Sequence, residues 1–476
     1  MAWSVRCLLL GLCLGIGLAT GSAKAQSLQD ALISAYQTNP QLAAERARQR
    51  ATDEDVARAW GGLRPSVSAN ASKGLAEDKI VYPYAASNGP KLVRTPSDQS
   101  VQLRQEVWDG NRTFADVRHA KLAVENGRQV LISMEQTVLG AALQAYYDLY
   151  RDQHILKIQE DYVRALKEQR KATEARYRVK DVTQTDLAQA EARLAGGLAD
   201  AQQFSADVES SKSAFLRAIG FAPGEQLTEP PAVANAMLPS SLEDALAAAN
   251  TNPELLAAIY AEKAAQADIE IAEAALLPDL SVQASTSRGY HADTNMDRSF
   301  DSTVVLALTV PLYDGGVASA RTRGAKHTAG QRRLDIEVTR NQVIDQVKRS
   351  WQNLQAARAR IKSYEENAKA SQVALTGVQQ ELRVGSRTVL DELNARQELL
   401  VAQVSLLRAR HDAAIAAYSL LAGCGHLTAN ELNLPLELYD ATAHFESVRS
   451  LPWGPWIDTN YPSSPEMPAP DQAIVR

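Results

Sequence analysis

An internal duplication constrains the fold of this chain more than any other sequence feature. Residues 382–395 repeat the pattern of residues 177–190 with a shift of 205 positions. Under this shift Val384 matches Val179, and Asp391 matches Asp186. The motif Ser-Leu-x-Asp-Ala-Leu also occurs twice, at 27–32 and 241–246, each time followed by Thr-Asn-Pro. A repeat of this kind indicates two copies of one structural unit.

The duplication divides the chain into two repeats, and composition marks the segments outside them. The first repeat covers 26–220 and the second covers 241–434, with a proline-containing linker at 221–240. Residues 1–25 combine a charged start, an apolar run and the small-x-small sequence Ala23-Lys24-Ala25, which is typical of a signal peptide. The tail 435–476 is polar and rich in proline, so we expect much of it to be poorly ordered.

Composition excludes several functional classes. Loss of Arg6 and Lys24 with the signal peptide changes the formal charge from −6 to −8, which argues against a nucleic-acid partner. Cys424 is the one cysteine left, so no intrachain disulfide is expected. The sequence has no HExxH, CxxC, Walker or GxSxG motif, and its histidines lack metal-ligand spacing. We therefore predict no enzyme activity, no cofactor and no metal.

Each repeat contains a predicted β-hairpin, at 66–108 and at 279–313. Apolar residues alternate with polar ones along strands of about ten residues, and polar loops are expected at 78–98 and 288–301. Such strands match a tilted crossing of a bilayer, although an ordinary hairpin with one buried face fits them equally well. Four strands are too few to close a barrel, so membrane-spanning strands require several copies of the chain. Trp108 and Tyr313, at the strand ends, suit a membrane interface.

Long proline-free segments follow each hairpin, at 113–179 and 318–384. A helix of roughly 67 residues is a rod of about 100 Å. The returning helices, 185–219 and 390–421, are about half as long, so the opening helices near 28–60 and 242–275 must supply the remaining length. This match predicts helical hairpins, 113–219 and 318–421, in which one rod packs against two shorter helices stacked end to end.

The turn between the two helices of the second hairpin carries a charged cluster. Val384-Gly385-Ser386 breaks the helical pattern, because glycine accepts the left-handed conformation that ends a helix. Arg387, Asp391 and Asn394 then follow with the spacing of one helical face. The simplest interpretation is a surface ion pair between Arg387 and Asp391. A gate at the tip of the hairpin is the alternative interpretation.

Taken together, the chain resembles the TolC-type outer-membrane channels of efflux pumps and type I secretion. The resemblance rests on the signal peptide, the duplication, the Asn-Pro openings, the strand ends near Tyr313 and above all the tip at 384–391. It implies a mainly α fold with a membrane β-barrel portion, in which a homotrimer forms a 12-stranded β-barrel and an α-helical periplasmic tunnel. It also implies outer-membrane lipid around the barrel, a periplasmic adaptor (membrane fusion) protein, and an inner-membrane ABC or proton-driven transporter.

The resemblance also assigns roles to the tip residues. In the family, a network between the two helical hairpins and rings of acidic residues close the tunnel. Arg387 matches the arginine of that network, and Asp391 matches one acidic ring. Thr185 and Asp186 match the partners of this arginine on the first hairpin. Two positions depart from the family pattern: Leu382 stands where a tyrosine is expected, and Asn394 stands where a second aspartate is expected.

Two functions follow as hypotheses. The first is a passive exit duct in the outer membrane of a Gram-negative bacterium, opened at its periplasmic tip by partners that supply the energy. The second is a structural or adhesive coiled-coil protein of the cell surface. A stalk needs no alternating strands of bilayer length, so the two predicted hairpins favour the duct. The sequence leaves open whether the cargo is a protein or a small toxic molecule.

Overall fold

The computed structural model describes residues 27–79, 91–224, 227–231, 237–293, 296–452 and 454. The predicted signal peptide lies outside this part of the chain. The first repeat consists of α1 (Leu28–Thr38), α2 (Pro40–Trp60), β1 (Ser66–Lys73), β2 (Ala76–Lys79), β3 (Lys91–Arg94), β4 (Ser97–Trp108), α3 (Arg112–Arg178) and α4 (Gln184–Ile219). The second consists of α5 (Leu242–Ala248), α6 (Pro253–Ala274), β5 (Asp279–Asp293), β6 (Met296–Thr309), α7 (Val317–Arg383) and α8 (Val389–Gly423), and α9 (Ala443–Val448) follows.

The two long helices confirm the predicted rods. Helices α3 and α7 have 67 residues each, and their first and last residues keep the offset of the sequence repeat. Helix α3 packs against α2 and α4, and α7 packs against α6 and α8. Each rod therefore lies beside a stacked pair of shorter helices, as the length match predicts.

The two helices of each stacked pair, α2 with α4 and α6 with α8, meet at the Asn-Pro motif. Asn39 ends α1 and begins α2, where its side-chain oxygen accepts a hydrogen bond from the Gln41 backbone N–H at 2.9 Å. Proline suits the first position of a helix because that position needs no N–H donor. The hydroxyl of Ser34, in α1, donates to the carbonyl of Ile219 at the end of α4 at 2.8 Å. In the second repeat Asn252 donates to the carbonyl of Gly423 at 2.9 Å, so at both junctions a side chain donates to the last carbonyl of the returning helix, although the donor residue differs.

The strands form one antiparallel four-stranded sheet in the order β1-β4-β5-β6. Pairing places Val67, Leu103, Ala284 and Val304 in one row across the sheet. The adjacent row, on the other face, contains Ser66, Arg104, Gln283 and Val305. Directly paired residues share a face, so one face of the sheet is largely apolar and the other largely polar. The apolar face is exposed in the single chain, as at Val304.

The hairpin loops differ from the prediction. Strands β5 and β6 have 15 and 14 residues, so they extend through most of the loop predicted at 288–301. The guanidinium of Arg298 lies 5.7 Å from the ring of its strand partner Tyr290, and such cross-strand pairs stabilise a polar extension. Part of the loop predicted at 78–98 forms the small hairpin β2–β3, where Arg94 pairs with Asp78 at 2.6 Å. Strand β6 ends at Thr309, two residues before Pro311, which has no N–H to donate.

The start of the C-terminal tail also differs from the prediction of poor order. Residues 435–452 run along the first repeat and include α9. Phe445 packs beside Val56 of α2, and the guanidinium of Arg128 lies 5.2 Å from the Phe445 ring. His444 contacts the buried carboxylate of Asp53 at 3.2 Å. The prediction of poor order missed these few contacts because it rested on the polar, proline-rich composition of the tail as a whole.

The largest apolar core lies where α1, α3 and α4 meet the linker and the segment after α8. Tyr146 and Phe215 are fully buried there. The Tyr146 hydroxyl donates to the carbonyl of Thr228, in the linker, at 2.7 Å. Leu427 and Leu434, which follow α8, belong to the same core. The linker and the end of the second repeat thus hold the two repeats together far from the tips.

Candidate functional site at the tips of the helical hairpins

The two hairpin tips have the same backbone geometry. Helix α3 ends at Arg178 with Val179 as its C-cap, and the next residue, Lys180, has φ +61°. Helix α7 ends at Arg383 with Val384 as its C-cap, and the next residue, Gly385, has φ +80°. A left-handed residue after the last turn is the usual way to end a helix, and glycine adopts it without strain. The duplication therefore extends to the conformation of single residues at the tips.

The aspartates at both tips cap the returning helices. Asp391 accepts hydrogen bonds from the Thr388 backbone N–H at 2.9 Å and from its hydroxyl at 2.8 Å. Asp186 accepts the corresponding bonds from Thr183 at 2.9 and 2.7 Å. These are capping boxes, with an aspartate in the position that usually holds glutamate or glutamine.

Capping also keeps these carboxylates ionised. The backbone N–H and then the hydroxyl of Thr388 hold the pKa of Asp391 below its ordinary value. The hydroxyl and then the backbone N–H of Thr183 do the same for the pKa of Asp186. Both side chains are partly exposed, so each tip carries a fixed negative charge at neutral pH.

Arg387 contacts its own hairpin. Its Nε lies 2.8 Å from a carboxylate oxygen of Glu381, and this carboxylate raises the pKa of Arg387. Within the described part of one chain, Arg387 forms no ion pair with Asp391 and no hydrogen bond to Thr185 or Asp186. The surface pair suggested by the sequence spacing is thus absent from this part of the chain, and so is the bond to the first hairpin that the family resemblance implies.

Asn394 joins the two repeats. The guanidinium of Arg193, in α4, donates to the side-chain oxygen of Asn394 at 3.0 Å. Leu382, the other departure from the family pattern, is half-buried and packs on an apolar cluster beneath the tip. The sequence reasoning missed Arg193, because nothing in its local pattern points to a partner 201 residues away.

The apolar cluster beneath the tip, here called the inter-repeat cluster, holds the two hairpins of one chain together. Leu393, 1% exposed, lies at its centre on α8. The hydroxyl of Tyr162, on α3, donates to the side chain of Gln397, on α8, at 2.7 Å. The cluster consists of Tyr162, Leu166, Val389, Leu393 and Leu400.

A buried ion pair lies next to this cluster. The Glu392 carboxylate is almost fully buried and accepts hydrogen bonds from Arg396 at 2.7 Å and from Gln379 at 3.2 Å. A buried charge needs such partners, because removing it from water is costly. The i,i+4 spacing of Glu392 and Arg396 was a signal for the pair, but the sequence alone did not indicate its burial.

The two predicted interface aromatics lie at the same end of the sheet. Trp108 is the last residue of β4 and Tyr313 lies between β6 and α7, so both mark the change from strand to long helix. Both side chains are exposed. Their placement at a membrane interface stays a prediction.

Two features are absent from the described residues. No group of three or more histidine, cysteine or acidic side chains there is arranged to hold a metal ion. No helix in that part of the chain combines the length and the apolar character needed to cross a membrane.

Comparison with known proteins places these features in context. Residues 246–426 match the family described as "Outer membrane efflux protein". The chain is 34% identical to the outer membrane efflux protein BepC of Brucella suis biovar 1, over 91% of this chain and 93% of BepC. It is 27% identical to the alkaline protease secretion protein AprF of Pseudomonas aeruginosa, over 66% of each chain. The solved CmeC outer membrane channel of Campylobacter jejuni has a similar fold, with a TM-score of 0.75, 14% identity and 90% of both chains covered.

Proposed function

The chain belongs to the TolC-type family of outer membrane efflux proteins, and we propose that three copies of it form one channel that closes at the hairpin tips. The protein is an exit channel in the outer membrane of a Gram-negative bacterium, and it serves an efflux pump or a type I secretion system. Such a channel works with partner proteins in the periplasm and the inner membrane.

The sheet supports the trimer. Strands β1 and β6 each pair on one side in the described chain, so the sheet has two free edges. A free edge leaves backbone groups unpaired, and lipid does not tolerate this. Three copies supply twelve strands, enough to close a barrel with the apolar face toward lipid and the polar face toward the lumen. The same symmetry surrounds one axis with the helical hairpins of three chains.

The inter-repeat cluster is the observation that best supports a gate at the hairpin tips. It fastens α8 to α3 immediately behind the tip, and the bonds Tyr162–Gln397 and Arg193–Asn394 reinforce it. Outward movement of the α7–α8 hairpin would break all three contacts at once. The closed tip, held by packed side chains inside each chain, is therefore one of two stable arrangements, and the open tip is the other. A partner that binds the open tip shifts the population toward the open state.

The Asp391 side chains of three copies would form a ring of negative charge near the channel axis. Asp391→Asn should lower the preference for cations and weaken block by a trivalent cation about tenfold, because like charges on one axis attract multivalent cations. Asparagine keeps an oxygen for the Thr388 bonds, so the cap survives. Current measurements in planar lipid bilayers check this prediction.

Asp186→Asn is the matched control, since it removes the same charge from the same cap on the first hairpin. It should leave the trivalent block unchanged. Equal weakening in both variants would remove Asp391 from the constriction. A purified assembly that gives no current even with Arg387→Ser and Asp391→Asn combined would contradict the channel itself and favour the structural surface protein.

The partners follow from the position of the tip. We propose that a periplasmic adaptor docks there and that an inner-membrane ABC or proton-driven transporter supplies the energy. The family is one of channels, and we propose no catalytic role for this member. The named relatives leave the cargo open, because one is called an efflux protein and the other a protease secretion protein. Deletion of the gene, followed by assays of drug sensitivity and of secreted proteins, separates the two.

A further inference from the structure

A cavity of about 240 Å³ lies at the seam between the two helical hairpins. The first hairpin lines it with Thr173 and Arg176 of α3. The second hairpin contributes Arg383 of α7, together with the buried pair Glu392–Arg396 of α8. Its volume is several times the roughly 30 Å³ that one water occupies in the liquid. The cavity therefore has room for a small polyatomic ligand that touches both hairpins.

The charges around this cavity do not balance. Glu392 is already bonded to Arg396. Arg176 has its nearest carboxylate, that of Asp181, at 4.0 Å, the limit of an ion pair. Arg383 forms no ion pair with any described residue. The imbalance reflects a difference between the two repeats. In the second repeat Glu381 neutralises Arg387, and the first-repeat counterpart of Glu381 is Arg176. The first-repeat counterpart of Arg387 is the uncharged Val182.

The hydroxyl of Thr173 provides a second, independent observation. Thr173 is 1% exposed, and its oxygen has no hydrogen-bond partner among the described residues. A buried polar group without a partner is destabilising, so native structures seldom retain one. A small movement of the Thr173 side chain would bring this donor within reach of an acceptor atom in the cavity.

We propose that this cavity binds a small divalent oxyanion of the phosphate or sulfate type. Two charges on the ligand match the two guanidinium groups that lack a close partner. The planar fork of arginine bonds two oxygens of a tetrahedral oxyanion at once, whereas chloride offers no such geometry. The Thr173 hydroxyl donates to a further oxygen. The bound anion bridges Arg176 of one hairpin and Arg383 of the other, and so, if the tip is the gate proposed above, it favours the closed state.

Isothermal titration of the purified full chain in detergent tests the site directly. Sodium phosphate at neutral pH is the probe, with sodium chloride of equal ionic strength as the blank. We expect saturable binding of one phosphate per chain. The pair Arg176→Gln and Arg383→Gln should raise the Kd about tenfold or more, because both charge-assisted contacts are lost. Thr173→Val removes only the hydroxyl and keeps the side-chain shape, so it should weaken binding without unfolding.

Arg178→Gln is the matched control. Arg178 lies at the same end of α3, outside the cavity, and pairs with Glu174 at 2.7 Å. The control removes the same charge and should bind phosphate as the unaltered chain does. Absence of saturable binding, or an equal Kd in the control and the cavity variants, would overturn the site.

The link to gating is measured separately, as bilayer current with and without phosphate. Phosphate should reduce the current of the unaltered channel and leave that of the Arg176→Gln, Arg383→Gln variant unchanged. Phosphate binding without any effect on the current supports the site and overturns its coupling to the gate. If Asp391→Asn changes the cation block but the chain binds no phosphate, the proposed function stands and the phosphate site is overturned.

Discussion

Leu393→Ala should hold the channel open for a far larger share of the time than in the unaltered protein. Leu393 is 1% exposed at the centre of the inter-repeat cluster, between α8 and α3. Truncating a buried leucine to alanine costs about 2–5 kcal/mol, and here the loss applies only while the hairpins are in contact. At about 1.4 kcal/mol per factor of ten, the open population should rise roughly thirtyfold or more. Single-channel recording in planar lipid bilayers measures this ratio.

Leu390→Ala is the matched control, because it removes the same atoms from the same helix. Leu390 is 39% exposed and lies outside the cluster, so its truncation should leave the open population nearly unchanged. If the two variants show equal open populations, packing behind the tip does not hold the gate closed. A rise in Leu393→Ala alone locates the closing contact within a single chain.

Val304→Arg should prevent most of the protein from reaching the outer membrane as a folded assembly. Val304 lies on the apolar face of β6, in one row with Ala284, Leu103 and Val67. An arginine facing lipid costs about 2–4 kcal/mol near the middle of the bilayer. A trimer incurs this cost three times. Fractionation of membranes, followed by detection of the folded oligomer by native gel electrophoresis, measures the loss.

Val305→Arg provides the comparison one residue away. Val305 pairs with Gln283, in the row that contains Arg104 and Ser66 on the polar face. An arginine there would point into a water-filled lumen, so the variant should assemble normally. Equal loss in both variants, or normal assembly of both, contradicts the assignment of the two faces to lipid and lumen.

The large features of the fold could be predicted because they depend on local pattern and repetition. The absence of proline from the rods, the Asn-Pro junctions and Gly385 indicated where helices begin and end. Because the structural unit is repeated, the boundaries of its helices and strands could be predicted from two copies of the pattern. The extent of β5 and β6 could not be predicted in this way, because the pair Tyr290–Arg298 stabilises a polar extension only once the two strands are aligned.

The candidate site was predictable in part, for the same physical reason. The capping of α8 by Thr388 and Asp391 follows from residues three positions apart. The contact between Arg193 and Asn394 joins residues 201 positions apart, and the burial of Glu392 requires α3 beside α8. Such contacts depend on how long helices pack, and a single sequence does not specify this residue by residue. The bond from Arg387 to the first hairpin, implied by the family, is absent within one chain.

The number of chains in the membrane-extracted particle tests most directly whether sister copies complete this fold. Native mass spectrometry of the protein released from outer membranes in mild detergent gives that number. We expect three chains per particle, with the free edges of β1 and β6 paired between copies. A folded particle that contains one chain, stable in water without detergent, would contradict both the shared barrel and the tunnel.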